Sequence, residues 1–426
     1  MKRYFLLTFF LFILCVPLKS RDFQYSDFFT NKQLRIDLYH GGTVDSEFFS
    51  LKSFKQEPVY AGPKKTISPV LHGSYIIKAK TRDGKLIFAK AYNTLFEEWQ
   101  DSDLVDNGLR VFRESRFMPF PRVPVIIEIF GRRDDLSLFS IWKTEFDPLS
   151  TWYKTELPSK PSFELSRPEN VAQQLDVAII ADGYTVKEMD KFREDAEAFS
   201  DYFLKTEPFD QFREQIAFHL VFAESEESGC DLPGDNIWKN TAADSRFYTL
   251  RSERYLTTLA YHKMMDLVAL VPHDQVILLV NSNKYGGGGI FNHFSVVSSG
   301  HFLSKVVCTH EFGHAFGGLA DEYWTSSTAY VRHPDIHHEV LEPNITSLVV
   351  FESKWQTMVP DTVPVPTPDT EEYNDVVGAF EGGRYLEKGI YRPYRNCRMK
   401  SNTADFCPVC QQVLSELIRY YSSESR

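Results

Sequence analysis

The stretch Cys308-Thr309-His310-Glu311-Phe312-Gly313-His314-Ala315-Phe316-Gly317-Gly318-Leu319-Ala320-Asp321-Glu322-Tyr323 decides how this chain is read. His310 and His314 are four residues apart. On an α-helix that spacing is about 400° of rotation and ~6 Å of rise, so both imidazoles share one face. Two nitrogens so placed can each lie about 2.0–2.1 Å from one zinc ion. Glu311 stands about 100° further round, too far for easy ligation but placed to take a proton from a water that the metal acidifies. A zinc ion lowers the pKa of water toward ~7, and the carboxylate completes its activation. This is apparatus for hydrolysing peptide bonds. His-Glu-x-x-His arises by chance in roughly one chain of this composition in forty, and Gly317 with a carboxylate soon after makes the pattern rarer still. Phe312, Ala315 and Phe316 describe a mostly buried helix rather than a solvated one. The periodicity predicts it over residues 303–316, with Gly317-Gly318 supplying its end.

A catalytic zinc site needs a third protein ligand and keeps one position open. In metzincin zinc peptidases that ligand follows the helix-ending glycine by three residues. Here the position is Ala320, which cannot ligate. Asp321, one residue late, is the expected third ligand. Glu322 is the alternative, the other carboxylate then orienting a ligand or capping the turn. His333, His337 and His338 lie farther on and read as exposed loop residues.

Outward from the motif, residues 171–426 alternate strand and helix. Residues 177–181 and 275–280 are continuous apolar runs suited to buried strands, and 216–222 alternates. Thr185 with Glu188 forms a capping box ahead of Met189, Phe192, Ala196, Phe199 and Phe203 at helical spacing. A helix is expected over 254–270. Gly286 to Gly289 interrupt the chain before a strand at 290–299, whose edge is a candidate for adding an extended substrate. Val413, Leu414, Leu417, Ile418 and Tyr421 mark a C-terminal amphipathic helix. The Pro-rich residues 360–370 read as a solvated loop, with a lid beside the cleft as the alternative. Residues 21–155 are β-rich. Strands at 74–80 and 85–91 flank the turn Arg82-Asp83-Gly84, and 122–130 with 136–142 make a second pair. No catalytic spacing occurs there, and a β-sandwich accessory domain is expected. Residues 156–170, with Pro158, Pro161 and Pro168, read as a linker.

The chain has 426 residues, 58 acidic and 47 basic, a net charge of −11 and a pI near 5.6. An acidic balance without basic runs argues against nucleic acid as a partner. At 43% hydrophobic and 25% charged, the chain is globular rather than disordered or fibrous. Lys2 and Arg3 precede an apolar run from Tyr4 to Pro17, shorter than the ~20 residues of a spanning helix. It reads as a secretory signal cleaved near Ser20. The alternative is a lipoprotein anchor on Cys15. The expected mature chain lies outside the cytoplasm, secreted, periplasmic or on the cell surface, with no membrane span. Cys230, Cys308, Cys397, Cys407 and Cys410 remain, an odd number. Export makes one local disulfide among the last three the default, with pairing undetermined. A zinc site on Cys407-Pro408-Val409-Cys410 lacks an obvious fourth ligand nearby.

His310 to Tyr323, with Asn396-Cys397-Arg398-Met399 and Phe406-Cys407-Pro408-Val409-Cys410, resembles the IgA-peptidase family of zinc metallopeptidases, itself similar to the metzincins. Ala181-Asp182-Gly183-Tyr184 and Thr94-Leu95-Phe96-Glu97-Glu98-Trp99-Gln100 are also family-like. The resemblance implies an α+β multidomain chain with a metzincin-like α/β zinc-peptidase domain at 171–426. It implies Met399 as a methionine turn beneath the metal. Met399 lies 85 residues beyond His314, a long excursion for that role. The expectation is an exported endopeptidase holding one Zn2+ through His310, His314 and Asp321, with Glu311 as general base and protein or peptide substrates, immunoglobulin A by family name. Tyr323, Tyr391 and Tyr394 are candidates for stabilising the oxyanion. A non-catalytic zinc-containing adhesin or glycan-binding protein and a zinc amidase acting on cell-wall peptides are the rivals. Oligomeric state is not legible.

Overall fold

A computed structural model describes residues 23–102, 104, 108–155, 161–171, 173–325 and 335–423. The leader read at 1–20, with Cys15, lies outside them, as do residues 156–160 and His333.

Among the described residues, the N-terminal domain holds seven antiparallel strands in two sheets. Strands β1 (Phe29–Gly42), β2 (Glu47–Glu57), β3 (Tyr75–Thr81), β4 (Leu86–Tyr92), β5 (Arg110–Pro121), β6 (Val125–Arg132) and β7 (Leu138–Phe146) pair in the orders β2-β1-β5 and β4-β3-β6-β7. Alternation explains how the sheets meet. Leu34, Ile36 and Leu38 of β1 share one apolar core with Ile77 and Ala79 of β3 and Ile127 and Ile129 of β6. The two hairpins expected from the sequence form, β3 with β4 and β6 with β7, the second extending four residues past the reading. Between β4 and β5 lies a short helix α1 (Leu95–Asp101), whose Thr94 side chain accepts from the Glu97 amide.

The second domain is a six-stranded mixed sheet ordered β12-β13-β11-β9-β10-β8, with β8 (Ser162–Glu164), β9 (Leu175–Asp182), β10 (Ile216–Phe222), β11 (Gln275–Val280), β12 (Gly287–Ile290) and β13 (Phe294–Ser298). The central four strands are parallel, and β8 and β12 are antiparallel at the two edges. Every residue of β9 is buried because both faces are covered. Val177, Ile179 and Ala181 meet the core under helices α2 (Met189–Phe203), α4 (Ser304–Gly317) and α5 (Pro408–Ser422). Ala178 and Ile180 face the opposite core, which holds α3 (Tyr261–Leu267) and takes in Leu95 from the N-terminal domain. No helix among the described residues is long and apolar enough to cross a membrane.

Three expectations need correction. The helix expected over 254–270 is only Tyr261–Leu267, because the β-branched pair Thr257-Thr258 is extended and pairs with Ser245-Arg246. The glycines do not interrupt the sheet; Gly287, Gly288 and Gly289 form its edge strand, and the strand expected at 290–299 is internal. Ser162–Glu164, read as linker, is the opposite edge. Such short edge strands carry too few residues for alternation to show.

The polar face of β1 is turned toward the second domain. Arg35 is wholly buried, 2.7 Å from Asp37, 2.8 Å from Asp266 of α3, and donates to the His262 carbonyl at 3.0 Å. His262 Nε2 in turn meets the carbonyls of Leu38 and Glu114 at 3.0 and 2.9 Å. A buried guanidinium with this many partners selects one docking geometry, since leaving any of them unpaired is costly.

His40 lies on the same strand, between Glu114 at 2.7 Å and Glu47 at 3.2 Å, and stacks on Phe49 and against Phe96 of α1. Burial pushes its imidazole down, but the two carboxylates outweigh that and raise it above its ordinary value. A raised folded value means that the folded chain binds the proton more tightly than the unfolded chain does. That stability is complete below about pH 6.5 and is lost as pH rises through the folded value. Denaturant unfolding should therefore show the wild type losing stability as pH rises above about 6.5. His40→Gln should be weaker at pH 6 and flatter across that window.

Candidate metal centre

Helix α4 runs from Ser304 to Gly317 and ends on Gly318 in the left-handed conformation, φ 60°, a C-terminal cap at which glycine carries no steric penalty. One face is core: Phe312 and Phe316 pack with Phe203, Phe209 and Tyr421. The other face presents His310 and His314. Each imidazole is oriented by its Nδ1, His310 against the Arg398 carbonyl at 2.9 Å and His314 against the Leu319 carbonyl at 2.6 Å. A carbonyl accepts only, so Nδ1 carries the hydrogen and Nε2 is left with a bare lone pair. The two Nε2 atoms stand 3.1 Å apart. Asp321 Oδ1 lies 3.2 Å from one and 3.3 Å from the other.

Three acceptors converging this closely repel one another unless a cation lies among them. Asp321 Oδ1 is buried and makes no other hydrogen bond among the described residues. Burial alone pushes His314 down, yet the Asp321 carboxylate more than reverses this and holds it up at about 9. Asp321 is itself held well below the usual carboxylate range by the two imidazoles, against the effect of burial. The site attracts positive charge, and its edges of 3.1–3.3 Å suit nitrogens and oxygens each about 2.0–2.2 Å from one ion. The donor set therefore fits a borderline divalent metal such as zinc.

Asp321 is held from two sides. The Tyr385 hydroxyl donates to its Oδ2 at 2.5 Å. The turn of the hairpin Phe380–Gly383 and Leu386–Arg392 bonds its backbone, Arg384 N–H to the Asp321 carbonyl at 2.9 Å and Tyr385 N–H to the Tyr323 carbonyl at 3.1 Å. Asp321 thus joins the two histidines. Glu322 points elsewhere, into a buried group with Cys397, Cys407 and Cys410. His337 and His338 belong to neither cluster. Met399 is fully buried with its sulfur against Gly313, where an added Cβ would come within 2.8 Å of Sδ.

The histidines, Glu311 and Asp321 line a cleft of about 550 Å3. Burial raises Glu311, partly offset by His310 and His314. The edge strand β12 crosses directly over α4, and a Cβ on Gly289 would fall 2.2 Å from the Glu311 carbonyl oxygen. That close approach explains the glycine run. The outward side of this edge is occupied at both ends, by Arg254 and Leu256 at Gly287 and by Asn93 at Phe291. Strand addition by a substrate is thus restricted to the neighbourhood of Gly289, not spread along 290–299. Of the three tyrosines singled out from the sequence, Tyr323 lines the cleft while Tyr391 and Tyr394 do not; Tyr255, Tyr285 and Tyr385 line it as well. No residue of 360–370 lines it.

One wall comes from the family-like segment 94–100, to which the sequence reading gave no place in the site. Glu97, Glu98 and Asp101 of α1 line the cleft from the N-terminal domain. The Tyr255 hydroxyl donates to Glu98, and Ser74 donates to Glu97. Burial lifts Glu97 to about 8 and Glu98 to about 7. The available signal was Leu95, Phe96 and Trp99 alternating with carboxylates at helical spacing in a segment otherwise read as β-rich.

The expected disulfide is absent. All five described cysteines are buried free thiols, and Cys397 Sγ and Cys410 Sγ are 3.7 Å apart. The partner that completes their group is Glu322, 75 residues before Cys397, which local spacing could not show.

Comparison with known families places this chain. A family model described as IgA Peptidase M64 matches residues 163–375 and 369–418, and one described as Peptidase M64 N-terminus matches residues 24–143. No curated protein matches it significantly. The family match makes the protein a peptidase, a hydrolase, and His310, His314 and Asp321 form a group that could hold a metal ion. The chain belongs to the IgA peptidase M64 family of metallopeptidases.

The close crossing at Gly289 gives a test. A side chain there must push β12 off α4 and move Glu311. Gly289→Val should retain the fold by circular dichroism but lose about 100-fold or more in kcat/KM on a peptide substrate, the scale of an ångström-sized misplacement.

Proposed function

We propose that this protein is a zinc-dependent endopeptidase in which His310, His314 and Asp321 hold the metal and Glu311 is the general base. The observation that carries this is the triangle of two Nε2 atoms and one Oδ1, 3.1–3.3 Å on a side, in a cleft that Glu311 also lines. When bound, zinc supplies Lewis acidity, acidifying water and polarising the scissile carbonyl. Glu311 accepts a proton from the attacking water and returns it to the leaving amine. Its burial favours that role, because a carboxylate raised toward neutrality is the stronger base. The Leu319 and Arg398 carbonyls keep both imidazoles in the ligating tautomer, and Tyr385 holds Asp321 in register. Tyr323, beside Arg254 at 3.5 Å, is the best placed of the sequence-derived candidates to face a developing oxyanion. Met399 against Gly313 supports a metzincin-like methionine turn. We further propose export after loss of residues 1–20, with residues 21–155 as one domain and 171–426 as the peptidase domain.

Glu311→Ala should keep its bound zinc and lose about 10²–10⁴-fold in kcat. Metal content and hydrolysis measured on the same preparation decide it: an active variant removes Glu311 from the mechanism. Asp321→Ala should lower zinc affinity, read by competition with a chromophoric chelator. A peptide library incubated with and without chelator tests the class, and immunoglobulin A is the first protein to assay. Chelator-sensitive cleavage of internal peptide bonds supports an endopeptidase. Release of cell-wall fragments alone would indicate an amidase, and zinc binding without any cleavage an adhesin or glycan-binding protein.

A further inference from the structure

A second group of ligating side chains lies beside the first. Glu322, Cys397, Cys407 and Cys410 are all buried, and one ligand atom from each lies within 4.8 Å of all the others. Cys407 caps the N-terminus of α5 and Cys410 sits in its first turn, with Pro408 leading the helix. The Cys407 amide donates to Cys397 Sγ at 3.3 Å. Glu322 Oε1 accepts from Asn344 at 3.0 Å and faces Cys410 Sγ at 3.4 Å. Its Oε2 is fully buried and has no hydrogen-bond partner among the described residues.

A buried carboxylate with an orphaned oxygen, ringed by three thiols, is a costly thing to leave in a core. Two occupants could relieve it. A disulfide would join two sulfurs at about 2.05 Å and leave the third thiol and the carboxylate as they are. A metal would use all four. Tetrahedral zinc, with Zn–S bonds of about 2.3 Å, sets sulfurs about 3.8 Å apart; Cys397 and Cys410 stand at 3.7 Å. Three soft donors select zinc over magnesium or calcium. Four protein donors leave no open position, which marks a structural rather than a catalytic site.

We propose that Glu322, Cys397, Cys407 and Cys410 bind a second, structural zinc ion. It joins three segments that the first site depends on. Glu322 follows Asp321 directly, and its amide donates to the Met399 carbonyl at 2.8 Å. Cys397 precedes Arg398, whose carbonyl orients His310. Cys407 and Cys410 fix both to the start of α5. The ion would thereby set the spacing between the Asp321 arm and the Arg398 arm before any substrate arrives. The site itself stands whether or not the first cluster is catalytic.

The test uses the full chain, loaded with zinc or with cobalt in its place. The wild type should bind two ions per chain. His310→Ala/His314→Ala should bind one and keep an intense thiolate-to-cobalt charge-transfer absorption in the near ultraviolet. Cys407→Ser/Cys410→Ser should lose that absorption. If this variant fails to fold, the spectrum of the histidine variant decides alone. A histidine variant without metal, a cobalt spectrum without the thiolate band, or a disulfide among these cysteines in non-reduced peptide mapping would each overturn the proposal. One ion in the wild type showing the thiolate band would support this site and remove the other.

Discussion

Two hydrogen bonds from imidazole Nδ1 atoms to backbone carbonyls are what the rest of this structure serves. They fix which nitrogen of His310 and His314 carries the hydrogen and so turn both lone pairs to one point. The acceptors come from different places. Leu319 is supplied by the chain's own turn after α4, made possible by Gly318 at positive φ. Arg398 comes from 88 residues beyond His310 and has to be delivered by the C-terminal part of the fold. Arg398 is anchored in turn, its guanidinium donating to Thr309 Oγ1 at 2.7 Å on the helix it serves. A geometry set by the helix alone would leave His310 free to rotate. The C-terminal segment closes that freedom.

That dependence explains why so much structure is spent between residues 319 and 407. The chain leaves α4, places Asp321 against the imidazoles, and returns through the hairpin that bonds Asp321 and Tyr323. It then passes Arg398 and Met399 beneath α4 and enters α5 at Cys407. Glu322 and the cysteines knot the outgoing and returning segments together. Adjacent carboxylates, Asp321 and Glu322, point to different clusters, the first to the histidines and the second to the cysteines.

The legible part of the molecule was the part in which chemistry and periodicity are local. His310, Glu311 and His314 follow from one helical turn, and β9, β10, β11, α2 and α4 from runs of apolar residues that are long relative to their elements. The remainder was hidden for physical reasons. The strand β12 is three glycines and Ile290, so nothing alternates, and its role as the sheet edge shows only in its pairing with β13. Thr257-Thr258 broke a helix that composition alone allowed. The β1 strand mixes Arg35 and Asp37 with its apolar residues, because its second face is buried against another domain and not solvated. The choice between Asp321 and Glu322 depended on contacts such as that of Asp321 with Tyr385, 64 residues on, and the partner of the cysteines on contacts 75 or more residues apart in sequence.

The same logic changes what the N-terminal domain is. Sequence makes it an accessory β-domain without catalytic spacing, yet it contributes three acidic side chains of α1 to the cleft wall. That wall cannot be a passive neighbour. Phe96 and Trp99 are buried in the N-terminal core side of α1, and Leu95 enters the apolar core of the second domain. Asn93 bonds Phe291 just past the glycine strand that crosses Glu311. Removing the first domain would free the Phe291 carbonyl from Asn93, release Tyr255 from Glu98 and leave Asp266 of α3 without Arg35. The cleft is therefore made jointly: its floor, with His310, Glu311, His314 and Asp321, belongs to the second domain, and the wall of Glu97, Glu98 and Asp101 belongs to the first. On the proposed reading, a substrate that reaches Glu311 meets side chains of both.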